Sequence, residues 1–256
     1  MCSFTPLANS ANMKQDYSKY TNTDQEIWKT LFDRQIKILE GKASKTFFDA
    51  LATIQFNAEK IPYFEDINKI LIRETGWKLE VVPEFIEASG FFEFLSEKKF
   101  PATSWIRNWD QLDYIVEPDM FHDVFGHVPL FVNKTYCEFA NGMAKLGTKY
   151  QTDEHSITML QRIYWFTIEF GLIKETNKIK IYGAGILSSP EEADYSLSDL
   201  PNHLSYSAKE IFNSPFKINE KQPKYFIIDS FQQLVDSLPE IDSLLQQGYG
   251  KPKKAS

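Results

Sequence analysis

Two histidines, His122 and His127, stand five residues apart in the run from Glu117 to Pro129. On a regular α-helix that spacing sets two side chains about 140° apart around the axis. Side chains so placed cannot share one metal ion, whereas a spacing of four allows it. Gly126 and Pro129 offer a way out of regular helix, because Pro129 lacks a backbone donor and disfavours helix at Val128. The sequence therefore predicts irregular backbone between Asp123 and Pro129, as a π-bulge or as a helix ending near Gly126. The chain has only four histidines, so this pair beside Gly and Pro argues for a shared task.

A carboxylate completes the set. Glu169 lies in the very apolar segment Ile163 to Gly171, with Trp165, Phe166, Leu172 and Ile173 as helical neighbours. A buried carboxylate is costly unless it is paired or bound to a metal. Arg162 is the alternative partner. Two imidazoles and one carboxylate are the protein ligands of a non-haem Fe(II) site with open positions for O2 and substrate. The same donors serve zinc hydrolases, in which a glutamate beside the first histidine acts as base. Asp123 occupies that place here. Residue types and spacing leave both metals open.

Composition removes other classes. Net charge is −7, and the basic residues form no stripe, which argues against nucleic acid. Lys251, Lys253 and Lys254 make the only basic cluster, a solvated end. The two cysteines are Cys2 and Cys137. With one at the N-terminus, a structural disulfide is not expected, which fits a cytoplasmic protein. No signal peptide and no run of membrane-spanning length is evident. Aromatic residues make up 15%, enough for core packing and for a pocket that takes a flat ring.

The pattern reads as mainly α with small β elements in a single domain. Residues 1–22 are expected to be loosely ordered, 23–248 to form the domain and 249–256 a tail. A capping box is read at Thr23 and Glu26. Ile27, Trp28, Leu31, Phe32 and Leu39 follow helical spacing after it, to a stop at Gly41. Further helices are predicted over 44–59, 63–74, 83–98, 157–173 and 230–247. Residues 157–173 are the longest apolar stretch and are expected to be buried. Ser189 and Pro190 start another helix as N-cap and first position. Residues 77–83, 180–187 and 225–228 read as short extended pieces.

Four motifs carry a resemblance. The segment Pro118, Asp119, His122, Asp123, Gly126, His127, Pro129 resembles the iron-binding motif of the pterin-dependent aromatic amino acid hydroxylases. Tyr164 to Gly171 resembles the segment bearing their third ligand. Gly183 to Ser189 and Phe100 to Arg107 resemble two pocket segments. The similarity runs from about Gln15 to about Leu238, in the family's order. The short form, beginning near Asp16, is similar to the bacterial members that act on phenylalanine.

The resemblance implies the catalytic-domain fold of that family, with His122, His127 and Glu169 as iron ligands. It implies Arg107 as partner of the amino acid's α-carboxylate, a task suited to a guanidinium fork. A surface pair with Asp110 or Asp113 is the plainer alternative. Asp119 would hold Arg107 or the substrate's amino-acid end. Ser188 would sit in the pocket and support the iron site, while Ser189 reads better as a helix cap. Phe91 matches the ring that stacks on the pterin, against core packing with Phe92 and Phe94. Trp165 and Phe170 match pocket-lining residues, and Asp123 an acidic position that the pterin reaches through water.

The implied activity is Fe(II)- and tetrahydropterin-dependent hydroxylation of L-phenylalanine to L-tyrosine with O2. Another aromatic amino acid, the ring 3-position or a zinc hydrolase are the alternatives. Trp165 disfavours the tryptophan branch, and an apolar Ile218 suits phenylalanine over tyrosine. The resemblance further implies a monomer and a separate pterin-recycling enzyme.

Overall fold

The structure is a computed structural model that describes residues 13–83, 86–115, 117–218 and 220–250. Lys251, Lys253, Lys254 and Cys2 lie outside the described residues. The architecture is mainly α with small β elements around one contiguous apolar core.

The helix Asn22–Leu39 starts earlier than the expected box at Thr23 and Glu26. Thr21 is the cap: its Oγ1 accepts from Asp24 N at 3.2 Å, and Asp24 Oδ2 accepts from Thr21 N at 2.7 Å. Aspartate serves here as glutamate does in the usual box. The described part of the leading segment is tied down rather than loose. Tyr17 donates to Ile61 O at 2.8 Å and Tyr20 to Ser104 O at 2.5 Å. Gln15 bonds both Pro62 O and Phe64 N. Polar composition hid this, because the anchors are amphipathic tyrosines whose hydroxyls find buried carbonyls.

The helix Lys45–Ile54 stops five residues before 59, where Gln55 turns left-handed at φ 63°. Phe64–Glu74 follows as predicted. The helix Ala88–Ser96 is shorter than 83–98. The longest interior helix among those the sequence left unread is Lys134–Lys149, capped by Asn133. It buries Tyr136, Phe139, Ala140, Met143 and Gly147. Small residues mask its apolar period, and they also admit its neighbour. A Cβ on Gly147 would stand 2.4 Å from Cγ of Phe92, so the two helices meet at that glycine.

The expected continuous helix over 157–173 is broken. Glu154–Tyr164 is α-helical, Trp165–Glu169 is a π-helix, and Leu172–Glu175 is already a strand. The π hydrogen bond runs from Phe170 N to Trp165 O at 2.8 Å. Gly171 permits the exit, since a Cβ there would lie 2.2 Å from both Thr167 O and Tyr182 Cζ. The final helix is likewise two, Phe231–Asp236 and Leu238–Gln246, with Pro239 in the first turn of the second.

Among the described residues, two small sheets complete the frame. Strand β1 (Lys78–Val81) pairs in parallel with β2 (Lys99–Ala102). Strands β3 (Leu172–Glu175), β4 (Lys178–Ile181), β5 (Asn202–Ser205) and β6 (Lys224–Ile228) form a mixed sheet in the order β4-β3-β6-β5. Strand β3 begins three residues after Glu169, so the sheet fixes the exit of the π-helix that carries this carboxylate.

Candidate metal centre and aromatic cavity

The run around the histidines is a π-helix over Phe121–His127, followed by a 3-10 turn at Val128–Val132. Of the two predicted distortions the π form is present. Hydrogen bonding to i+5 brings residues five apart onto one side, so His122 and His127 face the same point. Glu169 reaches that point from the second π-helix. His127 Nε2 lies 3.1 Å from Glu169 Oε1 and 3.3 Å from His122 Nε2. His122 Nε2 lies 3.7 Å from Glu169 Oε2. Among the described residues these three form the one His/Cys/Asp/Glu group of three or more whose donor atoms converge in this way.

The donors suit a cation. With metal bonds of about 2.1 Å, ligands at right angles sit about 3.0 Å apart and tetrahedral ones about 3.4 Å. Ser188 Oγ donates to Ala184 O at 2.8 Å, so at 2.9 Å it must accept from His122 Nδ1. That fixes the proton on Nδ1 and turns a bare Nε2 lone pair toward the carboxylate. Such acceptors repel one another until a cation lies between them. Burial lowers the His122 imidazole to about 4, against the pull of Glu169, so it is a neutral ligand at pH 7. Burial alone would raise Glu169. The imidazoles, His127 foremost, and the Tyr164 phenol outweigh it and hold the carboxyl below its ordinary range. Arg162 is not its partner, since it donates to Phe212 O.

The donors open into a cavity of about 240 Å³ walled by Phe91, Phe100, Tyr164, Trp165 and Phe216, with Ile218 at its rim. Phe91 meets Tyr164 edge-on at 5.2 Å and also packs on Phe92 and Phe100, so it is both wall and core. Trp165 stacks on Phe216 at 4.3 Å and lies against Phe170 at 4.5 Å. Phe170, expected to line the pocket, is buried and packs against Trp165, a wall of the cavity. Asp123 borders the cavity and accepts from Thr103 N and Oγ1 at 2.8 and 2.9 Å. Burial raises its carboxyl to about 7.

Arg107 is 4% exposed and forms a two-point fork on Asp119: Nε to Oδ2 at 2.9 Å and Nη2 to Oδ1 at 2.8 Å. A surface pair with Asp110 or Asp113 is thereby excluded; Asp113 pairs with Arg34. Asp119 also accepts from His122 N at 3.1 Å, which links the guanidinium to the first metal donor. The fork leaves Nη1 free of Asp119.

Residues 8–250 match the model of the biopterin-dependent aromatic amino acid hydroxylases. The chain belongs to this family. A phenylalanine-4-hydroxylase of Chromobacterium violaceum is 42% identical over 231 residues, covering 90% of this chain and 77% of the relative. One of Pseudomonas aeruginosa is 41% identical over 215 residues, covering 84% and 81%. A crystal structure of the Chromobacterium violaceum enzyme, with bound iron(III) and oxidised 7,8-dihydrobiopterin, superposes with a TM-score of 0.89. It is 40% identical and covers 96% of this chain and 89% of that one.

In this hydroxylase the structure adds members that sequence reasoning did not assign. Tyr164 borders the cavity beside Glu169, and its phenol is raised well above the ordinary range by burial first and that carboxylate second. Its separation from Glu169 is five residues, the same offset as the histidine pair, which was the available signal. Thr103 lay within the Phe100–Arg107 pocket segment but was given no role there, and Phe216 carried no signal, since it is placed by a contact distant in sequence. Gly183 backs the third donor: a Cβ there would meet Glu169 O and Gly171 N at 2.4 Å. Gly183→Ala should therefore destabilise the fold by about 2 kcal/mol or more, read as a lower urea midpoint, together with reduced iron retention.

Proposed function

We propose that this hydroxylase converts L-phenylalanine to L-tyrosine with O2, using Fe(II) and a tetrahydropterin. The observation that carries the reading is three converging donors at the end of an aromatic-walled cavity. The names of its relatives support the substrate. Iron and the reduced pterin, when bound, supply the electrons that activate O2, chemistry no side chain here can provide. The protein's part is placement.

His122, His127 and Glu169 would hold the metal, a donor set that leaves positions open for other ligands. Arg107, steadied by Asp119, offers Nη1 to the α-carboxylate. Trp165 and Phe216 bound the substrate ring, and Phe170 keeps the indole in place from behind. Phe91 offers a ring face to the pterin, and Asp123 a carboxyl within reach of its polar edge through water. Ser188 keeps His122 in the ligating tautomer. Apolar walls keep bulk water from the donors.

We assign residues 23–248 to one catalytic domain acting as a cytoplasmic monomer, with reduced pterin regenerated by a separate reductase. No helix among the described residues is long and apolar enough to cross a membrane. A stable tetramer in sedimentation would contradict the monomer.

The decisive assay mixes anaerobic protein, Fe(II), tetrahydropterin and phenylalanine, then admits O2. Tyrosine is the expected product, and chromatography separates it from the 3-hydroxy isomer. Chelation should abolish the activity, with Fe(II) but not Zn(II) restoring it. Absence of any hydroxylated amino acid would defeat the proposal, and restoration by Zn(II) would favour a hydrolytic centre.

A further inference from the structure

Between the helix Ala208–Phe212 and β6, the described part of the cavity wall has no regular secondary structure. Yet this loop supplies Phe216 to the stack on Trp165, and Ile218, 66% exposed, to the rim. One buried amide holds it. Gln222 is 2% exposed, and its Oε1 accepts from Trp165 Nε1 at 3.1 Å. Its Nε2 donates to Lys217 O at 2.9 Å and to Glu220 O at 2.8 Å. The orientation is forced by chemistry: an indole N–H only donates and the two carbonyls only accept, so a single amide flip satisfies all three.

The three bonds do different things. The two aromatic neighbours hold the faces of the Trp165 ring, but stacked rings slide and turn in their own plane at little cost. The N–H bond to Gln222 removes that freedom. In-plane rotation would carry the indole's edge into or out of the cavity. The two amino-group bonds close the loop so that Phe216 and Ile218 stand against the same space.

We propose that Gln222 is a positioning residue for substrate choice. By fixing the in-plane orientation of Trp165 together with Lys217 and Glu220 of the neighbouring loop, it sets the width of the ring cavity. A phenyl ring is thereby favoured over an indole ring. This rests on the cavity being the amino acid site, as read above.

Gln222→Met keeps length and removes all three bonds. Gln222→Glu keeps the acceptor for Trp165 and removes both loop ties, since a carboxylate donates nothing to the two carbonyls, and it carries the test if the first variant folds poorly. Wild type and both variants are assayed as iron holoenzyme with tetrahydropterin, with phenylalanine and tryptophan in turn. Gln222→Met should raise KM for phenylalanine about ten-fold with kcat within about two-fold. It should lower the phenylalanine-to-tryptophan ratio of kcat/KM by about five-fold or more. Gln222→Glu should shift both in the same direction, and iron content should stay at the wild-type value. Unchanged KM and ratio in the variants that fold overturn the inference. So does a fall in kcat that tracks lost iron at an unchanged ratio, which marks a scaffold role. A wild-type protein that hydroxylates neither amino acid would instead remove the functional reading beneath it.

Discussion

Glu169→Gln should leave a folded protein that retains no iron through dialysis and shows at least about a 1000-fold loss of kcat/KM. The exchange is nearly isosteric, but it deletes the one anion among three donors. The two neutral imidazoles then hold the cation alone. His122→Ala should behave likewise. Ser188→Ala gives the graded control. It removes the acceptor on His122 Nδ1, and such outer partners are worth about 10- to 100-fold in metal affinity or activity. Iron content by atomic absorption, beside circular dichroism, checks the series. Full iron retention by Glu169→Gln would refute the ligand assignment.

The second large effect is expected at Arg107. Arg107→Ala leaves the Asp119 carboxylate fully buried with its strongest partner gone. Breaking a buried pair from one side costs about 3–5 kcal/mol. The urea midpoint should fall accordingly, and KM for phenylalanine should rise about 100-fold if the fork also receives the α-carboxylate. Arg107→Met with Asp119→Leu separates the two roles. Removing both charges should return much of the stability, as apolar replacement of buried pairs does, without restoring KM. Recovery of KM in the double variant would deny Arg107 a part in substrate binding.

What the sequence revealed and what it hid divide by distance along the chain. The distortion at His122 and His127 was legible because spacing, Gly126 and Pro129 all lie within one turn or two. Helix starts at Ser44, Ser189 and Ser230 were legible for the same reason; Ser189 caps as read, and Ser44 and Ser230 prove to be caps as well. The π-helix at Trp165–Glu169 was not, since nothing inside its apolar run breaks helical period. Only Gly171, needed for close approach to Tyr182, marks its end. Spacing alone left a surface pair of Arg107 with Asp110 or Asp113 open, because both are nearer in sequence than Asp119; the family motif pointed to Asp119, where the fork forms. The insertion of β6 between β3 and β5 is invisible to any local reading, because it joins strands about 20 to 50 residues apart. The helix Lys134–Lys149 went unread because Gly142 and Gly147, which admit its neighbours, dilute the apolar pattern.

The two π-helices make the metal centre a matter of counting. Each presents its side chains at an offset that regular helix would misdirect, so length matters there. Inserting a residue that binds nothing, beside Val124 or Thr167, would turn His127 or Glu169 by about 100° relative to its partners. All three donors would still be present, and the site would be gone. Loss of Val124 would instead leave the histidines four apart, the spacing on which a regular helix presents a zinc pair. One surplus residue per segment therefore separates this centre from a different kind of metal site, and a single-codon insertion is a sharper threat to it than most substitutions.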